Sequence, residues 1–173
     1  MSSNGGGTVD VRIRPAGRKD MELVWKATLE TVWQDVPADE RSGLDRAAFE
    51  RHFRPNAERV IDSEDRAIFV AEGDAGVLGY TIVGSAASML SPRRFGFIYD
   101  LWVAPPARRQ GVAHRLLVQA EAWCREHGLA RLKLEVAAAN GGARALYESE
   151  GFAVERLYLG KTLSGGSDSE GNV

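Results

Sequence analysis

The stretch from Phe95 to Ala113, FGFIYDLWVAPPARRQGVA, decides the fold of this chain of 173 residues. Its first part, through Val103, is β-rich with apolar residues on both faces, which is typical of a central strand covered on both sides. Pro105 and Pro106 cannot continue a sheet, because proline lacks a backbone N–H. The stretch therefore predicts a buried strand, a turn and the start of a helix in direct succession.

The segments on either side of this stretch have strand and helix patterns of their own. Upstream we predict a strand from Thr8 to Arg14, a helix capped by Asp20, a weaker helix from Leu44 to Phe53 stopped by Pro55, a hairpin of Ala67–Glu72 and Val77–Val83, and a loop from Ser85 to Arg94. Downstream we predict a helix from Val112 to Gly128, a strand from Leu132 to Val136, a helix capped by Asn140 and closed by Gly151, and a last strand from Phe152 to Leu163. The order predicts one α/β or α+β domain over residues 8–163, a mixed sheet with helices on its faces, between flexible tails at 1–7 and 164–173.

Composition excludes several classes of function. Lys and Arg number 22 against 24 Asp and Glu, a formal charge of −2, which gives no support to a nucleic-acid partner. No apolar run approaches the roughly 18 residues of a membrane span, and the start is not a secretory signal, so we expect a cytoplasmic protein with no membrane partner. The single cysteine, Cys124, excludes a disulfide framework within the chain, and we expect no metal.

The turn Arg108-Arg109-Gln110-Gly111-Val112-Ala113 has the composition of an anion site. Backbone N–H groups in such a turn, with the positive end of a helix dipole behind them, can hold a phosphate. Gly111 would let the main chain approach a ligand closely. Taken alone, these residues also suit an ordinary strand-to-helix loop with surface arginines, because short glycine motifs are common.

A second set of residues follows this turn: Leu134-Glu135-Val136, Asn140, Ala143-Arg144-Ala145-Leu146-Tyr147 and Gly151-Phe152. Together with Tyr99 to Val103, Pro105 and the turn itself, they resemble the two landmark motifs of the GCN5-related N-acetyltransferase (GNAT) superfamily. The resemblance covers roughly residues 8–163 and is strongest from 95 to 152. It implies the acyl-CoA N-acyltransferase fold, a central twisted mixed sheet with helices on both faces.

The resemblance implies acetyl-CoA as co-substrate, held between two parted central strands. The main chain of Leu101 to Val103 would bond the pantetheine amides and the thioester carbonyl, and the amides of Arg109 to Ala113 would hold the pyrophosphate. Asn140 would contact the cofactor arm. The implied cofactor-binding residues are Leu101, Trp102, Val103, Arg108, Arg109, Gln110, Gly111, Val112, Ala113, Asn140, Ala143 and Tyr147.

The resemblance also implies an N-acetyltransferase in which a primary amine, on a small molecule or a protein, attacks the thioester directly in a ternary complex. Tyr147 would protonate the departing thiolate, although by its helix position alone it also suits a core aromatic. Asp100 and Glu135 are the candidate catalytic carboxylates. For Asp100, a base, an anchor for the amine and a structural hydrogen-bonding role all remain open.

The acceptor site is predicted from the region that borders it in the family. Trp25, Trp33, Asp35 and Tyr99 are the candidate residues, because acidic and aromatic walls suit a cationic amine. Tyr99 stands where many relatives have an acidic residue, which leaves the identity of the base open. We also expect a homodimer, in which a neighbouring chain completes a short last strand. The alternatives are a noncatalytic acyl-CoA-binding sensor or regulatory module, and a nucleotide-binding α/β protein.

Overall fold

The computed structural model describes residues 10–89 and 91–161, which fold around one five-stranded sheet. The strands are β1 (Arg12–Pro15), β2 (Arg66–Gly73), β3 (Gly76–Ala87), β4 (Arg94–Val103) and β5 (Leu132–Leu134). The α-helices are α1 (Met21–Asp35), α2 (Ala38–Ser42), α3 (Arg46–Ile61), α4 (Val112–Glu126) and α5 (Gly141–Ser149). Short 3-10 turns lie at Arg18–Asp20 and Pro105–Ala107. No helix in these described ranges is both long enough and apolar enough to cross a membrane.

The sheet is mixed, as the sequence predicts. Its strands lie in the order β1-β2-β3-β4-β5. The first four pair antiparallel with their neighbours, whereas β5 pairs parallel with β4. The connection from β4 to β5 contains α4, because parallel neighbours require a crossover. The strand-turn-helix stretch predicted from Phe95 onward is thus the centre of the fold.

Helices cover both faces of the sheet, so each face has its own apolar core. On one face α4 buries residues that include Val112, Leu116 and Ala120, and Tyr147 of α5 packs at the edge of this core. On the other face α1 and α3 cover buried residues of β2 and β3, among them Tyr80. Alternate side chains of a strand point to opposite faces, which is how β2 and β3 serve both cores.

Cys124 belongs to the core under α4. It is buried, and this burial raises the pKa of its thiol to about 11. A thiol with a raised pKa is a poor nucleophile near neutral pH, because only the thiolate reacts. Cys124 therefore packs as a small apolar side chain against the sheet.

The prediction that Pro55 stops the second helix is wrong. Helix α3 begins at Arg46, where Asp45 caps it by accepting a hydrogen bond from the Ala48 amide at 3.0 Å, and it continues past Pro55 to Ile61. Pro55 is exposed, while Ala57, two residues later, is buried against the sheet. Burial of Ala57 and partial burial of Val60 and Ile61 beyond the proline offset the one backbone hydrogen bond that the proline cannot donate.

The last predicted strand, Phe152 to Leu163, does not form over its described part, residues 152–161. The side chains of Val154, Leu157, Tyr158 and Leu159 are exposed there. Apolar alternation alone does not supply a pairing partner, and β5 at the sheet edge is only three residues long. Residues 162–163 of that prediction, the start of the first predicted strand and both predicted tails lie outside the described residues.

Two further boundaries differ from the sequence-based prediction. β3 runs on to Ala87, through the first part of the predicted loop, because it pairs with the beginning of β4. β5 ends at Leu134 instead of Val136, so Glu135 lies beyond the strand. The second difference matters for the site, because it shortens the contact between β4 and β5.

Candidate functional site

The strands β4 and β5 part in the middle of the sheet. Their parallel pairing covers only Gly96 to Ile98 on β4 and Leu132 to Leu134 on β5. β4 continues for five residues beyond Ile98, to Val103, without a β5 partner in the described chain. The pairing of β4 with β3 is irregular at the same level, where the register shifts between Ile82 and Val83.

The main chain of β4 faces this opening. The Ala104 amide donates to the Leu78 carbonyl oxygen at 2.8 Å, which fixes the register of β4 against β3. Antiparallel strands alternate between residues that bond to the neighbour and residues that point away from it. By this alternation, the N–H and C=O groups of Leu101 and Val103 point away from β3, toward the side that β5 has left.

The turn before α4 presents its backbone amides outward. Arg109 and Gly111 both have left-handed conformations, with φ of 63° and 78°. Arg109 is the one non-glycine residue with positive φ in the described ranges, and such strain is concentrated at functional positions. The described chain supplies no acceptor for the amides from Arg109 to Ala113. These donors and the positive helix terminus fit a phosphate group.

Side chains of the same turn hold its shape. Arg108 Nε donates to the Val103 carbonyl oxygen at 3.1 Å, and Gln110 Nε2 donates to the Pro106 carbonyl oxygen at 2.8 Å. Both bonds tie the turn back to the end of β4. The exposed guanidinium of Arg109 adds positive charge at the rim. The turn is therefore held directly at the end of β4.

Helix α5 packs at the edge of the core under α4, through Leu146 and Tyr147. Asn140 caps it, as predicted, with Oδ1 accepting from the Ala143 amide at 3.1 Å. This cap uses the side-chain oxygen, so its amide nitrogen is the atom that can serve a ligand. His114 of α4 contacts Glu150 at 2.9 Å, which joins the start of α4 to the end of α5. Both helices are thus held beside the opening.

Asp100 is the buried carboxylate of the site, with 9% of its surface exposed. Two hydroxyls converge on its Oδ2: Thr28 Oγ1 of α1 at 2.6 Å and the Tyr80 hydroxyl of β3 at 2.7 Å. The two hydroxyls are themselves 2.9 Å apart. Oδ1 receives no side-chain donor from the described residues. The two hydroxyls, together with a hydrogen bond from the Leu101 backbone amide, hold the carboxylate in place.

The pKa values of three acidic groups in and around the site are raised. Burial raises the pKa of Asp100, against the opposing effect of the hydrogen bonds from Thr28 and Tyr80. Burial likewise raises the pKa of Tyr147 to about 12, with further contributions from the charges of Asp100 and Asp35. Desolvation also raises the pKa of Asp35. The sequence-predicted Asp35, Asp100 and Tyr147 therefore lie close enough to interact electrostatically.

Three further predicted site residues are Glu135, Trp33 and Trp25. Glu135 is exposed beyond β5 and is not among the charges that act on Asp100 or Tyr147. Trp33 packs edge-on against Phe49 of α3, with ring centroids 5.1 Å apart, and Trp25 lies under the guanidinium of Arg54 at 5.4 Å. Both tryptophans therefore contact α3.

Tyr99 lies on β4 directly before Asp100. The Arg66 guanidinium stacks on its ring at 3.8 Å, and the ring of Phe97 meets it edge-on at 5.0 Å. These contacts hold the Tyr99 ring against the sheet beside the carboxylate.

A cavity of about 180 Å³ lies between the α1–α3 pair and the sheet. Tyr99 and Asp100 form its wall on the side of β4. The residues that line it are Thr28, Val32, Phe53, Asn56, Ala57, Val60, Ile61, Ile82, Tyr99 and Asp100. Asp100 thus lies between this cavity and the main chain of β4 that faces the opening.

Sequence patterns did not identify Thr28, Tyr80 or the α3 residues of the cavity. A signal existed for the first two. Thr28 follows Val24 by four residues on the buried face of α1, and Tyr80 alternates with Ile82 on β3. A hydroxyl on an apolar stripe requires a buried partner. Nothing local marks the α3 residues, because their role depends on where α3 docks.

Comparisons with known proteins agree with this geometry. The sequence profile of the acetyltransferase (GNAT) family matches residues 25–152. The uncharacterized N-acetyltransferase YhfO of Bacillus subtilis (strain 168) is 32% identical over 92 residues, 53% of this chain and 62% of that protein. The aminoglycoside N(6')-acetyltransferase type 1 of Serratia marcescens is 30% identical over 142 residues, 80% of this chain and 91% of that enzyme.

A solved structure is similar over most of the chain. A Pyrococcus furiosus protein, provisionally named an acetyl transferase, has a TM-score of 0.76 at 22% identity, over 89% of this chain and 100% of that one. At 22% identity, this similarity shows a shared fold.

The match to YhfO spans less than two thirds of the length of that relative.

Proposed function

This chain belongs to the acetyltransferase (GNAT) family, and we propose that it transfers the acetyl group of acetyl-CoA to a primary amine by direct attack in a ternary complex. The family and the α/β fold predicted from the sequence are confirmed. The observation that carries the proposal is the parting of β4 from β5 beside a turn whose amides have no acceptor in the described chain. Such a surface suits a long ligand with a phosphate at one end and a reactive group at the other.

The residues around the opening fit coenzyme A. The amides of Arg109 to Ala113 would hold the pyrophosphate, with Arg108 and Arg109 supplying positive charge. The main chain of Leu101 to Val103 would bond the pantetheine amides, and Asn140 and Ala143 would border the arm from α5. When bound, acetyl-CoA supplies a thioester carbonyl that an amine can attack and a thiolate that can leave. Main-chain N–H groups of β4 would stabilise the charge that develops on the carbonyl oxygen.

Asp100 is the base in this proposal. An amine with a pKa of about 10.4 is some three units above neutral pH, so its deprotonation costs about 4 kcal/mol in water. Burial raises the pKa of a carboxylate and lowers the pKa of an amine, so the difference between the two pKa values becomes smaller and proton transfer costs less. Asp100 is buried, is fixed through Oδ2 by two hydroxyls and borders the cavity. It would accept the proton of the bound ammonium.

Tyr147 is the acid. The neutral amine forms the new C–N bond, the C–S bond breaks, and the thiolate takes the Tyr147 proton. The acylated nitrogen releases its second proton to solvent, and the tyrosinate regains a proton from solvent. Asp100 then releases to solvent the proton that it took from the ammonium, which returns the enzyme to its starting state. A phenol with a pKa of about 12 keeps its proton at neutral pH and is a sufficient donor for a thiolate that is already a stable anion.

Thiol release from acetyl-CoA over a panel of amines tests the proposal. We expect CoA to bind and at least one amine to give thiol and the N-acetyl product in equal amounts. Tight CoA binding without turnover on any amine would favour a noncatalytic acyl-CoA sensor instead. Competition of ATP with CoA would favour the nucleotide-binding alternative.

Several predictions are carried forward with this proposal. They are a single domain over residues 8–163, a homodimer, a cytoplasmic location, a catalytic part for Glu135, and contacts of Trp25, Trp33, Asp35 and Tyr99 with the acceptor. If Glu135 were the base, its exposed carboxylate would need a water to reach the amine, whereas Asp100 borders the cavity itself.

A further inference from the structure

The cavity beside Asp100 is closed in by apolar side chains from three directions. Helix α1 contributes Val32, the sheet contributes Ile82, and α3 contributes the largest share. The apolar α3 residues of the lining are Phe53, Ala57, Val60 and Ile61. They recur at helical spacing, so one face of α3 forms a continuous apolar wall.

Charge is nearly absent from this lining. Asp100 is the one charged side chain among the described residues that form it, and Thr28 and Asn56 are the polar members along with the Tyr99 hydroxyl. Thr28 already donates to Asp100. One ammonium can therefore be neutralised inside the cavity, while a second ammonium that entered it would have no counter-charge there.

The volume sets the size of the group that fits. A cavity of about 150 Å³ lined by Leu, Ile and Phe side chains binds benzene, and this cavity measures about 180 Å³. A six-membered ring or a branched alkyl group matches it. Burying such a group stabilises the complex through the hydrophobic effect.

We propose that this cavity receives the apolar body of a small primary monoamine and orients its nitrogen against Asp100, and that it selects such amines over polycations. The inference rests on the proposed acetyl transfer, because the cavity acts as the acceptor site of that reaction. It concerns only which amine is used. An apolar surrounding also favours neutral amine with neutral carboxyl over an ion pair, so the same wall that selects the acceptor assists its deprotonation.

The contacts of the two α1 tryptophans agree with a preference for monoamines over polycations. Arg46 lies over the Trp33 ring at 5.1 Å and Arg54 lies over the Trp25 ring at 5.4 Å. Both rings are thus already in contact with cationic groups of this chain, and neither ring lines the cavity. Under this inference, the proposed contacts of Trp25 and Trp33 would be made only by a part of the acceptor that lies outside the cavity. A polycationic acceptor held on these two rings would have to displace the arginines.

Steady-state kinetics with matched amines tests the inference. The acceptors are 2-phenylethylamine and isopentylamine as apolar monoamines, ethylamine as the small reference, and spermidine, kanamycin and a lysine peptide as cationic competitors. We expect kcat/KM for 2-phenylethylamine to exceed that of each cationic competitor by at least tenfold. The preference should appear as a lower KM for 2-phenylethylamine, and KM for acetyl-CoA should be the same with every amine.

Two cavity variants, Val60→Phe and Phe53→Ala, and one control, Arg51→Phe, test whether the preference for apolar monoamines arises in the cavity. Val60→Phe fills it and should raise KM for 2-phenylethylamine at least tenfold while leaving that for ethylamine within about twofold. Arg51→Phe places the same ring on the exposed side of α3 and should change neither. Phe53→Ala enlarges the cavity and should extend turnover to bulkier amines such as 2-(naphthyl)ethylamine. Thermal unfolding and CoA affinity, measured on each variant, show that it is folded.

The outcomes separate the inference from the proposed function. Faster turnover on spermidine, kanamycin or the lysine peptide than on the apolar monoamines would overturn the inference and leave acetyl transfer standing. Equal effects of Val60→Phe and Arg51→Phe, or no gain for bulky amines with Phe53→Ala, would also overturn it. Bound CoA with no turnover on any amine would overturn the proposed function and the inference with it.

Discussion

The hydroxyl of Tyr80 on β3 donates a hydrogen bond of 2.7 Å to Oδ2 of Asp100 on the neighbouring strand β4. Tyr80 is fully buried, and burial with the nearby charge of Asp100 raises its pKa, so it remains a donor at every physiological pH. Its hydrogen bond orients the carboxylate between the cavity and the opening between β4 and β5. A buried carboxylate in such a position costs stability, and this cost is the sign of a functional role.

Asp100→Asn should abolish most activity without weakening the fold. We expect kcat to fall about 100-fold to 10,000-fold, the usual effect of losing a general base. Because the folded-state pKa of Asp100 is raised, its contribution to stability is present below the ordinary pKa of about 3.9 and is lost as the pH rises through the folded pKa. Asparagine does not titrate, so the variant should gain Tm relative to the native protein as the pH rises from 4 to 8.

The matched control is Asp74→Asn, in the exposed hairpin turn between β2 and β3. It removes an exposed carboxylate far from the site and should leave kcat unchanged. The groups that act on Asp100 from the surrounding elements are Thr28, Tyr80 and Asp35, and none of them is altered in either variant. A Tm difference for Asp100→Asn that shrinks as the pH rises would show that the carboxylate stabilises the fold instead.

Tyr147→Phe should lower kcat at least tenfold with near-normal affinity for CoA. The ring packs edge-on against Phe152 with centroids 5.7 Å apart, and phenylalanine keeps that contact. Because the pKa of the phenol is about 12, no loss of native activity below pH 10 should come from its ionisation. Rates, CoA titrations and pH profiles measure these effects. Tyr158→Phe, at an exposed tyrosine, is the control, and an unchanged rate for Tyr147→Phe would remove it as the proton donor.

Gly111→Ala should weaken CoA binding. Gly111 has φ of 78°, where an L-residue is strained by about 1 to 2 kcal/mol. Apart from its two chain neighbours, no atom of the described residues lies within 4 Å of the Cβ that alanine would add. The new methyl group would instead stand where a diphosphate approaches the turn. Gly128→Ala imposes the same kind of strain at the other end of α4, with φ of 68°. We expect similar losses of Tm from both and a loss of CoA affinity, measured by calorimetry, from Gly111→Ala alone. Equal CoA affinity in the two variants would place the coenzyme elsewhere.

Local sequence predicts the part of the site that a short stretch builds. The turn from Arg108 to Ala113, the cap at Asn140 and the position of Tyr147 on its helix depend on residues a few positions apart, so patterns identify them. Asp100 was identified as well, but its function stayed open. The hydroxyls that orient it come from Thr28 and Tyr80, which are 72 and 20 residues away in the sequence.

The acceptor cavity could not be predicted because it depends on how α3 docks on the sheet. The sequence suggested a helix that ends before Pro55, and such a helix would have left out Ala57, Val60 and Ile61, which line the cavity. The prediction of the last strand is wrong because a local pattern was present without a partner for it. Its apolar residues from Val154 to Leu159 have the pattern of a strand, yet pairing requires a neighbour that the described chain does not place there.

Gly96→Ala should destabilise the fold where β4 and β5 still pair. A Cβ at this position would lie 2.2 Å from Cys124 Sγ on α4, so the helix or the strand must shift, which costs about 1 to 3 kcal/mol. Cys124→Ala removes the sulfur, so the double variant should recover part of that loss. Urea unfolding of the four proteins in a double-mutant cycle measures the coupling. If the two single losses simply add, the contact between the Gly96 backbone and Cys124 does not set the distance between α4 and the sheet.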